Sequence, residues 1–192
     1  MIFGRGYMIF DLLDTREKAM ETLHSEEVAT FINSVAKQML SAKKEKKHIL
    51  ICGNGGSASQ ASHFVAELTV RYKTQHHFKA ISLCSDYSVI TAASNDYVFE
   101  DAFAMQTENF GEDGDLLIVM STSGESPNVV NALQSARRIG MRTIAFLGCN
   151  GGEAKRYADI CYIDKSYDTA IIQEHHLTLI HLVCEMIEKL SA

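Results

Sequence analysis

Three side chains in this sequence are equipped to move protons or to hold a metal ion. His63 and Glu67 stand four residues apart in the helical-looking stretch that begins at Ala58, so both project from one face. A histidine and a carboxylate so placed can ligate zinc or share proton-transfer work, and they can equally form an ordinary surface ion pair. His181 lies between Ile180 and Leu182 in an apolar stretch. That setting suits a core histidine satisfied by one hydrogen bond, or an acid–base imidazole tuned near neutral pH. Upstream of it stand Gln173, Glu174, His175 and His176, and the two histidines read as structural. Arg71 follows Glu67 by four, which predicts the same helix face, where it pairs with an acid or holds an anionic substrate. His76 and His77, in the polar stretch Lys73 to Lys79, read as solvated loop residues.

Two loops have the chemistry of anion sites. The first, Cys52-Gly53-Asn54-Gly55-Gly56-Ser57, runs into a helix. Its glycines let a ligand approach the backbone, and the helix start offers free N–H donors and partial positive charge. The spacing is neither G-x-G-x-x-G nor a Walker P-loop, which argues against a dinucleotide site. The second, Ser121-Thr122-Ser123-Gly124-Glu125-Ser126-Pro127-Asn128, carries four hydroxyls in six residues before a helix over Val129 to Ile139. It reads as a phosphate cradle, with Pro127 suited to the first helical turn. The plainer reading has Ser126 capping that helix and the rest as a polar loop.

These residues need a scaffold, and the apolar pattern predicts one. Short apolar runs at Ile49 to Ile51, Ala80 to Cys84, Leu116 to Met120, Thr143 to Leu147 and Ile160 to Ile163 alternate with helix-length segments. Fully apolar short strands of this kind belong to a parallel sheet covered on both faces. The expected fold is a three-layer α/β/α sandwich with a mostly parallel five-stranded sheet of Rossmann-like topology. A helical pattern from about Thr15 to Lys47 precedes it, with Ala19, Leu23, Val28, Phe31, Ile32, Val35, Met39 and Leu40 at spacings of three and four. A long helix over Ala170 to Leu190 follows, apolar most of the way round. Residues 1–47 are read as a helical segment packing on residues 48–192, within a single domain. Both loops then leave strand C-termini at one sheet edge, where ligands of open α/β sheets bind.

Composition sets outer limits. The 192 residues are 46% apolar with a net charge of −6, which suits one globular domain and argues against a nucleic-acid binder with a broad positive field. No apolar run approaches the roughly 18 to 20 residues of a membrane span, and acidic residues arrive too early for a signal peptide. The five cysteines, with no C-x-x-C pair, read as small core residues in a reducing compartment. The expected location is cytoplasmic, with neither membrane nor nucleic acid as partner.

The runs GNGGSASQASHFVAELTVRY, SNDYVFEDAF, STSGESPNVVNAL and IQEHHLTLIH resemble, in order and approximate spacing, the phosphoheptose isomerases within the sugar isomerase (SIS) domain family. The likeness covers roughly residues 48 to 190. It implies an SIS-type fold and conversion of sedoheptulose 7-phosphate to D-glycero-D-manno-heptose 7-phosphate, the first step toward the heptose of bacterial surface glycans. It also implies one zinc ion per subunit on His63, Glu67, Gln173 and His181, with no organic cofactor. Glu67 and His181 take the acid and base roles. The phosphate is placed among Ser121, Thr122, Ser123 and Ser126. The sugar is placed against Asn54, Gly55, Gly56, Ser57, Glu67, Arg71, Asn95, Asp96 and Gln173. Relatives form homotetramers, so active sites near subunit interfaces are expected.

One tension is internal to that set: Gln173 and His181 are eight residues apart, about 12 Å along a helix. The helix begins at or after Gln173, the side chains lean together, or a neighbouring subunit supplies a ligand. Two positions depart from the family pattern. Ile171 stands where Arg is usual, which weakens substrate anchoring, and Ser94 stands where Gly is common, which alters the loop carrying Asp96. Competing readings are an isomerase of another phosphosugar and a non-enzymatic SIS protein that binds the replication initiator. That last branch lacks equivalents of Glu67 and His181, and both are present here.

Overall fold

The computed structural model describes residues 4–191, with side chains from Met8 onward. Five strands, β1 (His48–Gly53), β2 (Lys79–Ser82), β3 (Leu116–Ser121), β4 (Arg142–Leu147) and β5 (Ile160–Ile163), form one sheet in the order β2-β1-β3-β4-β5. Every pairing is parallel. The central strands β1, β3 and β4 are buried almost throughout, as their unbroken apolar runs require. The β2 edge strand departs from that expectation. It is short, ends at Ser82, and exposes Lys79 and Ile81 while burying Ala80 and Ser82.

Alternate strand residues feed two cores. Ile49, Ile51, Ile118 and Phe146 pack against α2 (Glu26–Lys44), α3 (Gly56–Thr69) and α7 (Thr169–Ser191). Leu50, Cys52, Leu117 and Val119 pack on the other face against α5 (Ala102–Phe110) and α6 (Pro127–Ile139), with Ile90 of α4 (Tyr87–Asp96) at its margin. The result is the three-layer sandwich. Residues of α2 belong to the same core as the sheet, so the N-terminal segment is part of its packing.

The N-terminal helical segment consists of two helices. The first, α1 (Gly4–Glu21), stops before Ser25, whose extended backbone and side chain cap α2 by accepting from the Val28 N–H. Glu26 and Glu27 in the first turn favour the same start, since acidic groups suit the positive end of a helix. Of the cysteines expected in the core, Cys52 and Cys184 are buried, Cys84 and Cys149 are partly so, and Cys161 is exposed because β5 is the other sheet edge. Among the described residues no helix is long and apolar enough to cross a membrane.

Candidate active site

Strands β1 and β3 are neighbours, yet α3 after the first lies on one face and α6 after the second lies on the other. The chain therefore departs in opposite directions from adjacent strand ends, which opens the crevice where α/β sheets bind ligands. Both candidate loops sit there. Gly55, at φ +56°, forms the start of α3 without any side-chain cap, and a Cβ at that position would meet open space. At Gly56 a Cβ would come within 2.6 Å of the Gln173 amide, so only glycine lets α7 approach the loop this closely.

The hydroxyl loop is held by its own members. The Gly124 N–H donates to Ser121 Oγ and the Glu125 N–H donates to Ser123 Oγ, both at 3.1 Å. Pro127 is the first residue of α6, as expected. Ser126 occupies the cap position but makes no capping bond, so its hydroxyl faces Ser121 Oγ at 3.5 Å instead. Asn54, Ser57, Met120, Ser121, Thr122, Ser126 and Gln173 line a polar pocket of about 50 Å³. That is space for one or two waters, which suits a small head group rather than a whole sugar.

The proton-transfer candidates converge further along α3. His63 Nε2 lies 3.0 Å from His181 Nε2 and 3.4 Å from Glu67 Oε1. The Tyr72 ring stacks on His181 with centroids 6.0 Å apart, and its hydroxyl donates to Glu185 at 3.1 Å. His181 is partly exposed, so the fully buried core histidine is not what the fold builds. The donor atoms of His63, Glu67 and His181 lie within 4.8 Å of one another. A tetrahedral zinc with bonds near 2.1 Å sets neighbouring donors about 3.4 Å apart, so two imidazoles and a carboxylate so disposed fit that ion and leave a fourth position open.

Other site expectations fare differently. The helix α7 begins at Thr169, which removes the option of a helix starting at or after Gln173. Gln173 lies two turns before His181 and lines the polar pocket. Its carbonyl accepts from Gln60 Nε2 at 2.6 Å. Arg71 does not share a helix face with Glu67, because α3 ends at Thr69. The β-branched Thr69 and Val70 disfavour continuation, and the Thr69 hydroxyl turns back to the Val65 carbonyl. Asn95 and Asp96 are exposed in the last turn of α4, bonded to each other, so Ser94 sits in a helix and not in the expected loop.

His76 is not solvated. It is buried, and its Nε2 lies 3.1 Å from the Glu188 carboxylate, which also accepts from the Thr74 N–H and hydroxyl. Those bonds, the Thr74 hydroxyl foremost, hold the Glu188 pKa down at about 2. His175 and His176 are structural, as expected. His175 Nδ1 meets Asp164, and His176 faces the Leu147 carbonyl, its pKa pushed down to about 4 by burial. Sequence reasoning missed Tyr72 and Asn128. Only the spacing of Tyr72 from Arg71 and the position of Asn128 in the second loop hinted at either.

The chain thus joins a crevice at the switch point of a parallel α/β sheet, lined by a glycine loop and a hydroxyl loop, to a His–Glu–His cluster further along α3. The model of the SIS domain family matches residues 14–148. A phosphoheptose isomerase of Roseiflexus sp. (strain RS-1) is 40% identical over 178 residues, which cover 92% of this chain and 88% of that protein. One of Helicobacter pylori (strain P12) is 50% identical over 142 residues, covering 73% and 74%. The structure of phosphoheptose isomerase from Neisseria gonorrhoeae superposes with a TM-score of 0.89 at 34% identity, covering 96% of this chain and 98% of that one. The chain belongs to the phosphoheptose isomerases of the SIS domain family, and is an enzyme of the isomerase class.

Proposed function

We propose that the protein interconverts sedoheptulose 7-phosphate and D-glycero-D-manno-heptose 7-phosphate through an enediol, supplying the heptose of surface glycans. The observation that carries this reading is the convergence of Glu67 and His181 beside His63, downstream of a glycine loop that faces a hydroxyl loop. Glu67 takes a proton from C1 of the ketose and returns it to C2. His181 moves the matching proton from O1 to O2, so the carbonyl passes from C2 to C1. His63, Glu67 and His181 would hold a zinc ion, and Gln173, the fourth ligand the family resemblance implies, lies in the polar pocket two turns along α7 and would have to come from a neighbouring subunit. Such an ion, when bound, polarises the carbonyl and offsets several kcal/mol of the charge developing on oxygen.

The phosphate is assigned to Ser121, Thr122, Ser123 and Ser126 at the start of α6. Sugar hydroxyls are assigned to Asn54, Gly55, Gly56, Ser57, Asn95, Asp96 and Gln173, with Arg71 as an outer cationic contact. His63 lies about 10 Å and Glu67 about 16 Å along α3 from Gly56, so the two ends of the site stand well apart within one chain. A site completed at a subunit interface accounts for that separation. Met8, Ile9, Phe10 and Leu13 on α1 each leave more than half of their surface exposed, which supports a homotetramer that covers them. Five free thiols support a cytoplasmic enzyme. We read residues 48–192 as the catalytic domain and residues 1–47 as the helical segment packed on it.

The test is a direct assay of purified protein with sedoheptulose 7-phosphate beside fructose 6-phosphate and ribulose 5-phosphate. A kcat/KM at least tenfold higher for the heptulose phosphate is expected. Preference for either shorter sugar would transfer the reading to another phosphosugar, and no turnover of any of the three would overturn it.

A further inference from the structure

Asn54 stands between two spaces at the switch point. It lines the small polar pocket with Ser121, Ser126 and Gln173, and also a more apolar cavity of about 180 Å³ bounded by Cys84, Ile90, Phe99 and Phe103. Its amide is already engaged. Asn54 Nδ2 donates to Asn128 Oδ1 at 2.8 Å, and Asn128 Nδ2 donates back to Asn54 Oδ1 at 2.9 Å. Asn128 is the second residue of α6 and is only 2% exposed.

Such a reciprocal pair fixes more than distance. The terminal torsion of a lone asparagine is soft and broadly populated. Turning one amide of the pair alone would set N–H against N–H and oxygen against oxygen, so the two can turn only together. Each amide has two N–H groups and two acceptor sites, and the pair consumes one of each. Asn54 therefore keeps one donor and one acceptor for a ligand, held in a set plane. The clasp also ties the glycine loop of β1 to the first turn of α6, the two elements that open the crevice.

We infer that Asn128 is a positioning residue that acts through Asn54, setting the plane in which Asn54 meets the sugar hydroxyls and the spacing between the glycine loop and the hydroxyl loop. The inference rests on the phosphosugar reading of this crevice. It assigns Asn128 no contact with substrate. Because the hydroxyls it serves lie away from the reacting carbons, its loss weakens binding of ground state and transition state alike, which raises KM and spares kcat.

The experiment is a double-mutant cycle of Asn54→Ala and Asn128→Ala, read as kcat and KM for sedoheptulose 7-phosphate, with thermal unfolding to confirm folded protein. Each single substitution is expected to raise KM at least tenfold with kcat within about threefold. The double variant is expected to be no worse than the worse single within about twofold, since both remove one arrangement. A KM in Asn128→Ala within twofold of wild type, or losses that multiply in the double variant, would overturn the inference. Should Asn128→Ala fail to fold, the near-isosteric Asn128→Asp replaces it. There a carboxylate faces Asn54 Oδ1, and an unchanged KM is the overturning result.

Backbone hydrogen exchange over residues 53–57 separates the two possible failures. An inactive wild type whose loop exchanges faster in Asn128→Ala contradicts the substrate reading while leaving the clasp in place. An active wild type with unaltered exchange and KM in Asn128→Ala contradicts the clasp alone.

Discussion

His175, His176 and His181 share one helix and meet three different fates, decided by what each faces. His176 points into the core at the Leu147 carbonyl, and burial lowers its pKa from 6.5 to about 4. The unfolded chain therefore binds an extra proton between those values, so stability rises with pH across that window and is complete above about 6.5. Denaturant unfolding should show about 3 kcal/mol less stability at pH 4 than at pH 7 from this group, and His176→Gln should flatten that part of the profile. The Glu188 contribution, with its pKa lowered from 4.5 to about 2, is lost as the pH falls between those two values and acid protonates the carboxylate. His181 instead meets His63 and Glu67. Elemental analysis of gently purified protein should find zinc near one per chain, and exhaustive chelation should abolish activity. Activity that survives chelation would make the ion incidental. The i, i+4 pairing of His63 with Glu67 was legible from spacing because both lie within one helix. Their meeting with His181, and the burial of His76 against Glu188, depend on α7 packing beside α3, which no local pattern encodes.

At the level of elements, apolar runs were the reliable guide. They located β3 and β4 to within a residue and β1 to within two, because strands buried on both faces have few alternatives, and they matched the half-buried edge strand β5 as well. Edges and ends were harder. The break at Ser25 and the end of α3 at Thr69 turn on one cap and one pair of β-branched residues, so a periodic count ran through both. The end of α3 is why Arg71 leaves the helix face of Glu67. The loop glycines give a test at this scale. Gly55→Ala meets no neighbour but imposes a side chain at φ +56°, which should cost about 1–3 kcal/mol of stability. Gly56→Ala places its Cβ 2.6 Å from the Gln173 amide and should displace α7 locally, raising KM at least tenfold. Equal KM values in the two variants would argue that Gln173 has no part in the pocket.

The whole molecule carries a net charge of −6 and is assigned an anionic substrate, so attraction must be local. Two uncapped helix starts and a hydroxyl loop provide it, and the strand order brings them to one sheet edge. The exposed apolar side chains of α1 and the separation of the two ends of the site predict an assembly, and light scattering at micromolar concentration should give a mass of four chains. A monomer would exclude sites shared between subunits. The central claim, that Glu67 and His181 form the acid–base pair of a heptose phosphate isomerase, is tested most directly by turnover of sedoheptulose 7-phosphate in Glu67→Gln and His181→Ala beside wild type. Each should fall at least 100-fold while the unfolding temperature shows an intact fold. Near-normal turnover in either would contradict the account.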